Sequence, residues 1–143
     1  MLSNTSKYAI RAVIYLALFS TKEKKVGIKE VSSELDIPSP FLGKILQLLA
    51  RHHILGSTKG PNGGFYLAKP AIDISLMEII ELIDGRDAFG TCVIRTSPCS
   101  HDDPCSLHDK IAPLRNEERM LFATESIADL VSEFREGKDR IRI

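Results

Sequence analysis

The chain has 143 residues, 43% hydrophobic and 27% charged, which allows one domain with a real core and matches ordinary soluble globular composition. No run approaches the roughly 20 apolar residues of a membrane span, and Lys7 and Arg11 interrupt the N-terminal apolar run, so neither a membrane protein nor a signal peptide is expected and the expected location is cytoplasmic. The net charge is zero but unevenly divided: residues 1–70 carry ten Lys/Arg against four acids, and residues 71–143 carry nine against fifteen. A basic face suited to phosphates on an otherwise acidic molecule would give this division, as would an uneven but merely solvated surface.

Apolar residues recur at helical spacing over residues 4–20, with Tyr8, Ala12, Tyr15, Leu16 and Phe19 widened by Ile10, Val13, Ile14 and Ala17. So broad a stripe predicts a central helix packed on more than one side, capped by Asn4, Thr5 or Ser6. The polar run 21–25 reads as a loop. A short helix is predicted over 28–35 and stopped by Asp36-Ile-Pro-Ser-Pro40, because proline biases its predecessor away from helix. Ser39 is then expected to cap a third helix running to about His52, with Pro40 at its first position. Phe41, Leu42, Ile45, Leu46 and Leu49 are expected inside, and Gly43, Lys44, Gln47 and Arg51 outside.

Two short helices and a tight turn make a helix-turn-helix pattern, which is weak alone. Residues 54–59 and 65–68 can be two strands joined by Gly60-Pro-Asn-Gly-Gly64, and a hairpin in that place is a wing. Glycines there let the backbone approach another molecule, and Lys59 can reach a phosphate or a minor groove. A nucleotide cradle is the poorer reading, since the Gly-Lys-Ser/Thr ending is missing. A plain structural turn is the other alternative.

A helix capped by Ser75 is predicted over 75–84, ending at Gly85 and returning Leu76, Ile79, Ile80 and Ile83 to the core. A second helical pattern spans about 105–123, with Pro113 kinking it or marking its start. Ser126 can cap a last helix, 127–134, and the charged tail 135–143 is expected to be mobile. The domain reading is therefore a winged helix-turn-helix over 1–84, a cysteine loop over 85–105, and a dimerisation helix, short helix and tail over 106–143. The fold class is mostly α with a small β-hairpin wing. Folding of the apolar helix back onto its own domain is the alternative to a dimer.

All three cysteines lie in the loop, in the pattern Cys92-x6-Cys99-x5-Cys105-x2-His108. Thiols in a chain without a secretory context suggest metal ligation or redox chemistry before a disulfide framework, with inert thiols as the plain alternative. Zinc sites usually use ligands two to four residues apart, which only the Cys105–His108 half satisfies. The longer gaps leave room for a larger object than one ion. Asp102 and Asp103 could supply oxygen ligands or simply solvate the loop, and His101 is expected to be exposed.

Tyr8-Ala-Ile-Arg-Ala, Ile37-Pro-Ser-Pro-Phe-Leu, the wing Lys59-Gly-Pro-Asn-Gly-Gly-Phe-Tyr-Leu-Ala and the three-cysteine loop occur in the order seen in Rrf-type bacterial winged-helix regulators. That family includes cluster-binding regulators of the IscR type and nitric-oxide sensors of the NsrR type. The resemblance covers about residues 1–135. It implies a homodimer that reads a palindromic DNA operator, with the third helix in the major groove and the wing in the minor groove. Carried over, Ser39, Pro40, Phe41 and Lys44 would lie at the groove, and Lys59, Gly60, Asn62 and Gly64 at the wing tip. Cys92, Cys99 and Cys105 would hold an iron–sulfur cluster.

NsrR-like members add an acid just before the first-helix tyrosine, where this chain has Lys7. IscR-like members add a histidine three residues after the last cysteine, and His108 stands there. A Cys3His set holding [2Fe–2S] is thus favoured over [4Fe–4S]. The six-residue first gap, where IscR-like members usually have five, departs from the pattern, as does Gly43 in place of a glutamate. The function expected is a transcription regulator controlled by its cluster, not an enzyme. A repressor of the same fold that senses thiol oxidation or small molecules, or holds structural zinc, is the alternative. A small metal or redox enzyme is the remote one.

Overall fold

The structure is a computed structural model that describes residues 2–135. Its elements are α1 (Asn4–Phe19), α2 (Ile28–Leu35), α3 (Ser39–Arg51), β1 (Leu55–Thr58), β2 (Gly64–Leu67), a 3-10 turn (Ala71–Asp73), α4 (Leu76–Asp84), α5 (His108–Thr124) and α6 (Ile127–Arg135). Six helices and one antiparallel hairpin make the mostly-α winged-helix fold expected from the sequence.

Helix α1 is the hub, touching α2, α3, α4, α6 and β2. Ala9, Ala12, Val13 and Leu16 are fully enclosed, so the small residues let neighbouring helices approach on several sides. Phe19 departs from expectation: it leans on Tyr15 with ring centroids 4.6 Å apart, yet remains half exposed. The cap is Ser3, not Asn4, Thr5 or Ser6. Its hydroxyl accepts the Ser6 N–H, and Asp84 at the end of α4 accepts from the Ser3 and Ser6 hydroxyls and the Ser3 N–H. Burial pushes the Asp84 carboxyl up, but those hydrogen bonds together outweigh it and hold it below its ordinary value.

Helix α2 ends at Asp36, whose φ of 53° reverses the chain before α3. The third helix begins at Ser39 with Pro38 flanking it and Pro40 in the first turn, one step from the predicted placement. Ser39 does not cap it. Its hydroxyl donates to Ser32 Oγ (2.9 Å), and Ser32 donates to the Ile37 carbonyl (2.5 Å), which pins the turn. Leu42, Ile45, Leu46 and Leu49 are buried as predicted. Two neighbours exchange places with expectation: Gly43 is buried against Ile28, and Phe41 is 39% exposed, edge-on to Tyr8.

In the hairpin, Leu55 pairs with Leu67 and Thr58 with Gly64. Val26, from the stretch before α2, pairs with the other edge of β2: it exchanges both backbone hydrogen bonds with Phe65, at 3.0 and 2.8 Å. A single valine at the end of a polar run does not reveal that pairing.

The start of α4 is stitched to the start of α6. Leu76 N–H donates to the Glu125 carbonyl (3.0 Å) and Ile127 N–H to the Ile74 carbonyl (2.8 Å). Ser126 and Asp129 form a reciprocal capping box, and Ile127 and Val131 enter the core against α1. Residues 106–135 therefore do not pack as one appendage: α6 belongs to the winged core, and α5 stands beside it. The chain continues through Pro113 without ending α5. Within α5 only His108 is buried, while Leu114, Met120 and Leu121 are exposed. The tail expected to be mobile lies outside the described residues, apart from Arg135 at the end of α6.

Candidate nucleic-acid interface and thiol centre

The period of α3 turns Lys44, Gln47 and Arg51 to one outer stripe, because the opposite face is held by Leu42, Ile45, Leu46 and Leu49. Pro40 and Phe41 are exposed at its first turn, and Ser39 is half buried by its hydrogen bond to Ser32. Across an open cleft of about 910 Å³, this stripe faces the hairpin, with Gln47 and Arg51 on one wall and Thr58, Lys59 and Gly60 on the other. Lys29 of α2 also lines it.

Gln47, Arg51 and Lys29 extend the predicted set. The outward period of α3 pointed to the first two, whereas the placement of Lys29 depends on how α2 meets the hairpin. Lys59, Gly60 and Asn62 stand exposed at the hairpin tip. Gly60 has φ 103°, a region other residues rarely enter, and the Gly63 N–H closes the turn on its carbonyl at 2.9 Å. Gly64 is not at the tip. It lies in β2 with φ 149°, and a Cβ there would meet the Val26 backbone at 2.6 Å, so its role is to seat the hairpin on that segment.

The thiol loop is entered through Phe89, buried and stacked on Phe122 of α5 with centroids 5.7 Å apart. Arg115 of α5 donates to the Thr91 carbonyl, fixing the backbone next to Cys92. The chain then makes two irregular excursions, and the Sγ atoms of Cys92, Cys99 and Cys105 all come within 4.8 Å of one another. Cys99 Sγ lies 3.9 Å from Cys105 Sγ and 3.2 Å from His108 Nδ1. Cys105 is not on α5; it precedes the helix in a turn closed by the His108 N–H on its carbonyl at 3.0 Å.

The two excursions are joined by Arg95. Its guanidinium donates to the Asp103 carboxylate (2.6 Å) and carbonyl (3.1 Å). Asp103 is thereby engaged inside the loop, where sequence reasoning held it open as an oxygen ligand. Asp102 is exposed. His101 is exposed as expected, and its ring stands edge-on to that of His108.

Backbone N–H groups of Arg95 (3.2 Å) and Ile94 (3.4 Å) point at Cys92 Sγ. They stabilise its thiolate and bring its pKa down to about 7, while burial pushes the Cys99 thiol up. His108 is 8% exposed, and its Nε2 is enclosed without a hydrogen-bond partner among the described residues. An unpaired buried polar atom costs about 1–3 kcal/mol. Three converging thiols, a buried imidazole at hydrogen-bond distance from one of them and an unsatisfied nitrogen fit a thiophilic metal or an iron–sulfur cluster.

A family profile described as Rrf2, iron-dependent transcriptional regulator, matches residues 2–133. The chain belongs to the Rrf2 family. A putative HTH-type transcriptional regulator of Aquifex aeolicus (strain VF5) is 35% identical over 132 residues, 91% of this chain and 90% of that protein. The transcriptional regulator IscR of Photorhabdus laumondii is 27% identical over 131 residues, 92% of this chain and 79% of that protein. The fold is shared with CymR, the global cysteine regulator of B. subtilis, at a TM-score of 0.77 and 17% identity, covering 92% of this chain and 96% of that one. This Rrf2 protein is a DNA-binding transcription regulator, not an enzyme. Among the described residues no helix is long and apolar enough to cross a membrane.

Proposed function

We propose that this regulator binds DNA as a homodimer and that an iron–sulfur cluster on Cys92, Cys99, Cys105 and His108 controls the binding. The observation that carries the reading is the convergence of three thiols from an irregular loop to within 4.8 Å, with the buried His108 imidazole beside them. The resemblance to IscR-type members, which pair three cysteines with a histidine in this place, favours [2Fe–2S]; when bound, the cluster supplies a centre that responds to oxidants and to its own loss. IscR-named relatives support the same choice.

On the DNA side, Ser39, Pro40, Phe41 and Lys44 are assigned to the major groove, joined by Gln47. Lys59, Gly60 and Asn62 are assigned to the minor groove, and Gly64 acts by seating the hairpin. The exposed Leu114, Met120 and Leu121 support α5 as the dimer surface. A two-fold dimer reads a palindrome whose half-sites lie about 34 Å apart. The loop is tied to α5 by Arg115–Thr91 and Phe89–Phe122, so a change in loop shape reaches the surface that sets the spacing of the two α3 helices.

Purification without oxygen, with iron and sulfide analysis and operator binding across a salt series, tests this. A coloured protein with stoichiometric iron and sulfide, whose operator affinity changes on cluster loss and falls steeply with salt, is expected. A colourless protein that accepts no reconstituted cluster overturns the cluster claim and leaves DNA binding standing. The 3.9 Å between Cys99 and Cys105 sulfurs favours one second reading, a thiol switch. Closing that pair to the roughly 2.05 Å of a disulfide removes two electrons and two protons to an oxidant. Operator binding that tracks this disulfide in iron-free protein identifies that case.

A further inference from the structure

Beside the thiols lies a second donor group of different chemistry. An imidazole nitrogen of His101, one of His108 and a carboxylate oxygen of Asp109 all come within 4.8 Å of one another. The rings of His101 and His108 meet edge-on with centroids 5.0 Å apart. His108 is enclosed, whereas His101 and Asp109 are exposed, so the group is walled by protein on one side and open to water on the other. His108 also carries the Nε2 that no described residue satisfies.

We propose that His101, His108 and Asp109 form a site for a divalent first-row cation such as zinc or ferrous iron. Two imidazoles and one carboxylate are the donor set that borderline divalent cations take, while three thiolates select softer partners. Three protein donors leave the remaining positions to water, which makes an exchangeable site rather than a closed structural one. The positive N-terminal end of α5 opposes a cation, and the Asp109 charge in the first turn offsets it. Both donor sets draw on His108, so under the cluster reading above a bound cation competes with the thiols for that imidazole. Cation binding itself does not depend on that reading.

Cobalt(II) is a suitable probe, because thiolate ligation gives it strong near-ultraviolet charge-transfer absorption that nitrogen and oxygen ligation lacks. The full chain carrying Cys92→Ser, Cys99→Ser and Cys105→Ser has no thiolate to offer. It is expected to bind a single cobalt with weak visible bands, no thiolate charge transfer, and displacement by zinc. Adding His101→Ala should weaken binding at least about tenfold. If circular dichroism shows that the triple variant does not fold, the native metal-free chain with its thiols blocked by iodoacetamide decides. One cobalt bound without charge transfer, and lost in His101→Ala, supports the site, and its absence overturns it. No binding by a folded triple variant, or binding that His101→Ala leaves unchanged, also overturns it. Failure of the native chain to take up iron and sulfide bears on the cluster reading instead.

Discussion

In the winged half, α1 is surrounded by four helices and a strand, and Leu42, Leu46 and Leu49 of α3 are fully enclosed. In the half that carries the thiols, the loop has no regular structure between Gly90 and Ser106, and α5 leaves Leu114, Met120 and Leu121 59%, 68% and 52% exposed. One half is held by buried apolar area. The other is held by a few discrete contacts: Phe89 on Phe122, Arg115 on Thr91, Arg95 on Asp103. A rigid winged body is thus joined to a loop whose shape depends on few contacts and which, under the proposed function, changes with what the thiols bind.

The contrast has a steep end. Leu46→Ala removes a fully buried side chain of α3 and should cost about 2–5 kcal/mol in urea unfolding. An equal loss from Leu114→Ala would show that α5 is packed as tightly as α3 and erase the distinction. Asp84→Asn tests the contact between the helix ends and should cost about 1 kcal/mol near neutral pH. The folded Asp84 carboxyl is held below its unfolded value. Its contribution is therefore complete above the unfolded pKa of about 3.9 and fades as pH falls through the folded value. The variant and native curves should converge in acid, and a constant offset down to low pH would disprove the coupling.

On the looser side, Met120→Lys should change the unfolding of the subunit by only about 0.5 kcal/mol, since the residue is exposed. Sedimentation should nevertheless shift toward monomer if α5 is the dimer surface; unchanged sedimentation counts against it. The smallest effect is chemical. In metal-free protein, alkylation of Cys92 by iodoacetamide should rise through about pH 7, ahead of Cys99, whose thiol is pushed up by burial. Simultaneous labelling of both would show that the backbone N–H groups at Cys92 are not held in place.

Legibility followed the same division. The 3.6-residue period of α3 and the caps at Ser75 and Ser126 are local, and the sequence displays them. Ser3, Asn4, Thr5 and Ser6 are all able to cap α1, and the choice among them is made by Asp84, far along the chain. The Val26 pairing and the seating of Gly64 are likewise long-range, and hydrophobic pattern is silent about one residue pairing across the fold. In the loop the ligand spacing was visible, but the Arg95–Asp103 clasp, the encounter of His101 with His108 and the start of α5 at His108 were not. No periodicity governs a segment whose order comes from individual side chains.

The stitching of α4 to α6 bears on how freely the segment between them can change in length. The chain leaves the winged body after α4 and returns to it at Ser126, where two backbone hydrogen bonds tie the return to the start of α4. Topologically, the thiol loop and α5 are an excursion that begins and ends on α4. Lengthening such an excursion costs little, because closure entropy grows only with the logarithm of its length, about 0.6 kcal/mol per doubling. An extra residue between Cys92 and Cys99 is then nearly free for the body that reads DNA. Under the proposed function, rewriting the excursion can change what the thiols respond to and leave the winged body untouched.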